Sequence, residues 1–226
     1  MHNSCGIKLE GDGNLENIFN GKKVPDETPI IETWKVFENF YKAGKFRAIG
    51  VSNFTPEQLQ DLYDNAEIKP HNLQIEIHIY NPRHHLIELC KKLNISVTSY
   101  STLGSPGKKV IPTFKDKYPK AEWLDHPLVK ELATTYSKTP AQILLRHMIQ
   151  RGISVIPKSV TPARISENFD ILNFEISAED IKRIDNIKER HRLSDFAFLN
   201  CNHPRYPPFE DFERNIGGNY ESNASF

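Results

Sequence analysis

Apolar positions along the chain recur with two spacings. In ETWKVFENFYKAG, Trp34, Phe37, Phe40 and Tyr41 share one helical face and Gly44 closes the run. The spacing predicts a helix opened by Thr28-Pro29, with Thr28 as cap and proline at the first helical position. PRHHLIELCKKLN carries Leu86, Leu89, Cys90 and Leu93 on one face, and HPLVKELATTYSK is also helical. Thr55-Pro56-Glu57-Gln58 and Thr139-Pro140-Ala141-Gln142 each have the T-x-x-Q form of a capping box, and the second opens the helix AQILLRHMIQRG. Two more helices start at Thr161-Pro162 and at Ser177-Ala178-Glu179-Asp180, the latter running to about Lys188. Between these lie short apolar, β-branched runs: FRAIGVS (46–52), LQIEI (73–77), ISVTSY (95–100) and ISVIP (153–157). Residues 1–27 read as loop, 102–125 as an inserted polar loop, and the chain beyond about 190 as irregular, with a flexible tail at 215–226.

Strand, helix, strand, helix is the pattern of an α/β fold. The strands read as those of a parallel sheet covered on both faces. Strand starts near 48, 72 and 95 recur about every two dozen residues, as repeated β/α units do. A closed β/α barrel needs eight strands and typically ~250 residues. Four strands in 226 residues therefore leave two architectures, an open α/β sheet or about half to two-thirds of a barrel.

Composition narrows the function classes. Formal net charge is zero and the pI about 7.1, which gives no general attraction to nucleic acid or to a membrane surface. No apolar run approaches the ~20 residues of a membrane span, and MHNSCGIKLEGDG has neither the basic nor the apolar part of a signal peptide. Cys5, Cys90 and Cys201 are widely spaced and form no CxxC, so no metal is expected. Reduced thiols in the cytoplasm are the simplest reading, and the N-x-S/T triplets at Asn53, Asn94 and Asn223 are taken as chance.

Ligands of α/β folds sit where strands end at their C-terminal side. Polar or aromatic groups stand at those points: Ser52-Asn53, Gln74 and Glu76, Tyr100-Ser101 (followed by Leu103-Gly104-Ser105), and Lys158-Ser159. At the last, a helix begins at Thr161-Pro162, and free N–H groups at a helix start attract anions. Lys158 adds a charge, Arg164 can grip an oxyanion with two N–H groups, and Ser159 and Thr161 can donate. Glu167 and Asn168 lie about one turn further, where they can meet the amino group and ring nitrogens of a base. A 2′-phosphoadenosine would satisfy all six. Spacing alone favours a solvated helix start and Tyr100 as a core aromatic, and serves Gln74 equally as a satisfied polar residue in a barrel. An unrelated α/β fold binding another phosphate would normally bring a GxGxxG turn or a P-loop, and neither is present.

GVSNF, QIEIHIYN, YSTLGSP, IPKSVTPARISENF and YPPFEDF, in this order and spacing, resemble the aldo-keto reductase family, most closely its aldose and aldehyde reductase branch. The resemblance runs from about residue 1 to 214. It implies a (β/α)8 barrel of which this sequence supplies roughly the fourth or fifth strand onward. It also implies reduction of small-molecule aldehydes and ketones with NADPH (NADP+ in the reverse direction), and in relatives a cytoplasmic monomer. By resemblance, Lys158, Ser159, Val160, Thr161 and Arg164 hold the adenosine 2′-phosphate, and Glu167 and Asn168 the adenine. Ser52, Asn53 and Gln74 hold the nicotinamide carboxamide, Tyr100 stacks on its ring, and Ser101, Leu103 and Ser105 cover the pyrophosphate. Phe196, Phe198, Leu199 and Cys201 are the expected apolar wall of the substrate pocket.

The family's proton donor is a Tyr tuned by a Lys and an Asp, all on its first three β/α units, to which no segment here corresponds. His2 matches the family's substrate-orienting His, with Gly6 and Lys8 following as in the family, but Ser4 stands where the family has Pro. The alternative is that His2 is fortuitous. The resemblance thus implies a chain with its cofactor residues and without its acid, inactive alone or a non-catalytic NADPH-binding or structural remnant. Open sheet edges should make it associate with itself.

Overall fold

The computed structural model describes residues 1–2, 6–8, 24–105, 123–190 and 192–193. Four strands form one parallel sheet in chain order: β3 (Gly50–Ser52), β4 (Asn72–Glu76), β5 (Ser96–Tyr100) and β6 (Ile153–Val155). Gly50 pairs with Asn72 and Asn72 with Ser96, while Val97 pairs with Ile153. The first strand is shorter than its apolar run, since pairing with β4 starts only at Gly50. A Cβ at Gly50 would stand 2.6 Å from the Asn72 carbonyl oxygen, so this start requires glycine. All four C-terminal strand ends lie at one end of the sheet.

The sequence read as loop before residue 28 contains a small antiparallel hairpin, β1 (Gly6–Lys8) with β2 (Val24–Asp26). Each strand has three residues and one contains proline, too little for a periodicity to register.

Among the described residues seven α-helices follow: α1 (Ile30–Lys42), α2 (Pro56–Asn65), α3 (His84–Lys92), α4 (Pro127–Thr135), α5 (Pro140–Gln150), α6 (Pro162–Phe169) and α7 (Ala178–Asp185). Both capping boxes form as expected, and the Ser177 hydroxyl accepts from the Asp180 N–H at the start of α7. Thr28 does not cap α1. Its hydroxyl and N–H go to Asp26, at 2.8 and 3.1 Å, and the helix starts one residue later than expected.

The two faces of the sheet differ, which corrects the expectation of an apolar sheet on both sides. Ile49, Val51, Leu73, Ile75, Ile77, Ile95, Val97 and Ile153 are buried in one core with Trp34, Leu59, Leu62, Leu86 and Cys90 of the helices. Because side chains alternate along a strand, Ser52, Asn72, Gln74, Glu76, Thr98 and Tyr100 are on the opposite face. That face is polar: Asn72 Nδ2 donates to Ser96 Oγ and Thr98 Oγ1, both at 3.0 Å. A second core gathers Val129, Leu132, Ile143, Leu144, Ile184 and Trp123 between α4, α5 and α7. Burial pushes the Cys90 thiol up to about 12, so it is an inert core residue.

Candidate functional site

The polar face of the sheet and its C-terminal rim hold the first group of expected site residues. Ser52 is opposite Gln74 in register, and Glu76 opposite Tyr100, so Ser52, Gln74 and Tyr100 share one face of adjacent strands. Asn53 follows β3 with φ +61°, a left-handed conformation that Asn tolerates better than most residues. That turn buries its amide where the other strands end. Its N–H donates to the Gln74 carbonyl at 3.1 Å, and its Oδ1 accepts from the Tyr100 hydroxyl at 2.7 Å. Its Nδ2 donates to the His2 carbonyl at 3.1 Å. Three expected site residues are therefore held by direct bonds. His2 lies beside them through its main chain, and its side chain is exposed.

Ser52 is buried, and its hydroxyl has no hydrogen-bond partner among the described residues. A buried hydroxyl is normally satisfied, so this one is open to a ligand. On the rim after β5, Ser101 and Ser105 both have positive φ, and Ser105 Oγ donates to Ser101 Oγ at 2.7 Å. Leu103 instead packs against the second core, and Gly104 lies so close to Trp123 that a Cβ would stand 2.6 Å from the indole ring. Sequence reading took this segment wholly as a cover; one of its residues is an anchor.

The second group sits where β6 turns into α6. Lys158 and Arg164 are exposed, and neither has an ion-pair or hydrogen-bond partner among the described residues. Ser159 Oγ accepts the Thr161 N–H at 3.1 Å, while the Thr161 side chain caps nothing, so the first turn of α6 keeps donors free. Val160 is exposed. Glu167 and Asn168 are half-buried one turn further on, and Glu167 Oε1 accepts from the Thr139 hydroxyl at 2.6 Å. Phe196, Phe198, Leu199 and Cys201 lie outside the described residues, as does the 215–226 tail.

Sequence reading placed Glu76 among the polar groups at the strand ends without a specific role, and gave His78 none. Both are fully buried, joined by a 3.0 Å contact from His78 Nε2 to Glu76 Oε1. His78 Nδ1 accepts from the Tyr80 N–H at 3.2 Å, which leaves Nε2 as the proton-bearing nitrogen. The same Glu76 oxygen accepts from the Leu193 N–H at 2.6 Å. Burial alone would raise the Glu76 pKa, but the hydrogen bond from His78, the Leu193 N–H and nearby Arg192 outweigh it and hold the carboxyl at about 2. The pair thus ties the chain at 192–193, just before the expected substrate wall, to the end of β4. The alternation in QIEIHIYN was the available signal, since Glu and His two apart on a strand share a face.

The parallel strands end in a collected rim of amides, hydroxyls and an aromatic ring, next to a helix start with the exposed Lys158 and Arg164, and strand ends of this kind are where α/β proteins collect ligands. Comparison with known proteins makes the class specific. The profile of the Aldo/keto reductase family matches residues 18–189, and the chain belongs to that family. It is 35% identical over 204 residues to aldo-keto reductase family 1 member C15 of Rattus norvegicus, covering 89% of this chain and 61% of that protein. It is 41% identical over 176 residues to the NADPH-dependent D-xylose reductase of Meyerozyma guilliermondii, covering 77% and 52%. The aldose reductase structure from Schistosoma japonicum superposes with a TM-score of 0.76 at 33% identity, over 94% of this chain and 64% of that one. The chain thus spans about three-fifths of the length of the rat relative. Among the described residues no helix is long and apolar enough to cross a membrane.

Proposed function

We propose that the chain binds NADPH along the rim of its sheet and supplies the cofactor-holding residues for reduction of small-molecule aldehydes and ketones to alcohols. The architecture that goes with this reading is the (β/α)8 barrel. The observation that carries the reading is the unpartnered, buried Ser52 hydroxyl, set beside the Asn53 amide and Gln74 on the polar sheet face. A carboxamide both donates and accepts, and a hydroxyl between two side-chain amides answers it in both directions.

The residues present fit the cofactor at both ends. Ser52, Asn53 and Gln74 take the nicotinamide carboxamide, and Tyr100, its ring fixed by the bond to Asn53, offers the stacking surface. Lys158 and Arg164, with Ser159, Val160 and Thr161 at the first turn of α6, take the 2′-phosphate, and Glu167 and Asn168 the adenine. When bound, NADPH supplies a hydride to a carbonyl carbon. Binding such a ligand against a sheet face and a rim segment keeps water from that carbon. The bond from the Asn53 amide to the His2 main chain supports the reading of His2 as the residue that orients the carbonyl.

The chain spans about three-fifths of the length of the rat relative, which leaves room for a second reading. In that reading the chain holds NADPH without turnover. General acid catalysis contributes roughly 10²–10⁴-fold in rate, so the two readings separate in an aldehyde-reduction assay.

Cofactor binding itself is tested by titrating the chain with NADP+ and NAD+ and following Tyr and Trp fluorescence. A charge-assisted hydrogen bond is worth about 1.5–3 kcal/mol, roughly tenfold to a hundredfold in affinity. Lys158→Ala and Arg164→Ala are each expected to weaken NADP+ by at least about tenfold and to leave NAD+ nearly unchanged. Equal loss for both dinucleotides, or no binding by the unaltered chain, would reject the assignment.

A further inference from the structure

Helix α6 carries the proposed adenosine contacts, yet none of its residues is buried. A helix with no buried face is not positioned by packing, so something else has to hold it. The polar contacts that do so come from the start of α5. Thr139 Oγ1 donates to Glu167 Oε1 at 2.6 Å while it accepts the Gln142 N–H at 3.2 Å. Gln142 is buried. Its Oε1 accepts the Thr139 N–H at 3.0 Å, and its Nε2 reaches the Glu167 carbonyl at 3.3 Å and the Asp170 carbonyl at 2.9 Å. Lys138 adds a bond to Asn173 Oδ1 at 3.1 Å just beyond the helix.

The same four-residue pattern, Thr-Pro-x-Gln, opens α2, which allows a comparison within one molecule. There Thr55 and Gln58 close the same reciprocal box, at 3.0 and 3.2 Å, and among the described residues they bond only their own helix. Capping therefore needs neither a second helix nor a carboxylate. The bonds from Thr139 and Gln142 to Glu167 and Asp170 are additional to the cap.

We propose that Thr139 and Gln142 are positioning residues for the adenosine end of the cofactor site: the capping box of α5 sets the height of α6 and holds one oxygen of the Glu167 carboxylate, presenting the other to the adenine amino group. This rests on the reading that Glu167 meets adenine. A hydroxyl held by two partners leaves the carboxylate one direction in which to accept, and a carboxylate with one fixed oxygen loses less freedom when it binds.

The test uses Thr139→Val, which keeps the shape and removes the hydroxyl, Thr139→Ser, which restores it, and Ser177→Ala, which removes the cap of α7 without touching α6. Each is titrated with NADP+ and with its hypoxanthine analogue, which lacks the 6-amino group. Thr139→Val is expected to weaken NADP+ several-fold and the analogue distinctly less, with Thr139→Ser and Ser177→Ala close to the unaltered chain. Amide exchange of residues 162–170, measured without any nucleotide, is expected to quicken in Thr139→Val alone. Equal weakening of both dinucleotides by Thr139→Val would reduce Thr139 to an ordinary cap and overturn the proposal, as would unaltered exchange in α6. If the unaltered chain binds neither dinucleotide, the NADPH assignment falls, and the exchange experiment still decides whether the box holds the helix.

Discussion

Single residues carry more of this site than the strands that present them. Glu76 is the sharpest case, a carboxylate at 1% exposure that serves His78 and the Leu193 N–H at once. Removing a buried acceptor leaves its donors unsatisfied, typically at about 1–3 kcal/mol each. Glu76→Ala is expected to cost that much in urea unfolding, and Glu76→Gln less, since an amide oxygen still accepts from both donors. The pH dependence has a defined sign. The folded carboxyl is held at about 2, below its ordinary 4.5, so the unfolded chain binds the proton first as pH falls. Its contribution is whole above about 4.5 and is lost between there and about 2. Stability measured from pH 5 to pH 2.5 should therefore fall less steeply in Glu76→Gln. An identical slope in the two proteins would remove Glu76 from the acid transition.

Among elements, α5 departs furthest from an ordinary amphipathic helix. Residues 142–148 are buried without interruption, including Arg146 and His147. The helix itself was legible, because T-P-A-Q and the run AQILLRHM announce both its start and its apolar content. Its burial on every side was not, because the cover comes from segments far along the chain: Arg146 Nη1 donates to the Ile171 carbonyl at 3.1 Å, and Asp185 of α7 stands 2.9 Å from His147 Nε2. The strands behaved likewise. Their existence and order were readable from short β-branched runs. The polar face was hidden at β3 and β6, whose three residues show too little alternation, whereas the alternation of the five-residue β4 and β5 was present and passed over; the hairpin β1–β2 left no pattern at all. Of the site, the residues at strand ends were readable one by one, whereas the bonds from Tyr100 to Asn53 and from Thr139 to Glu167 join positions 47 and 28 residues apart and have no local signature. Burial, with Arg151 nearby, lowers the His147 pKa against the pull of Asp185, and burial lowers that of His84 beside Arg151. Both groups resist protonation in the folded state, so the unfolded chain takes up the extra protons below about 6.5. Stability is expected to fall as pH drops from 7 to 5, and His147→Gln, which keeps a donor for Asp185, should flatten part of that fall. A slope unchanged by the substitution would place the titration elsewhere.

At the scale of the whole molecule, the sheet has a side that nothing described here covers. β6 pairs with β5 alone among the described residues. Beyond that strand along the chain, Ile156, Val160, Ile165, Phe169 and Leu172 are 50, 80, 53, 80 and 66% exposed. Scattered exposed apolar residues need no explanation, but five exposed between residues 156 and 172, directly after β6, make an apolar patch along the sequence, and an unpaired strand before it offers N–H and C=O groups to another chain. Net charge adds no repulsion, since it is formally zero at pH 7. The expected outcome is reversible association that grows with protein concentration, read by sedimentation velocity from about micromolar to a hundredfold above it. Phe169→Lys with Ile165→Glu puts charge on the patch without touching Glu167, Asn168 or the capping box, and should shift the distribution towards monomer. If the unaltered chain stays a compact monomer across that range, the edge is closed by other means. If it associates and the double substitution has no effect, the contact lies on another surface, and the edge of β6 loses its claim to it.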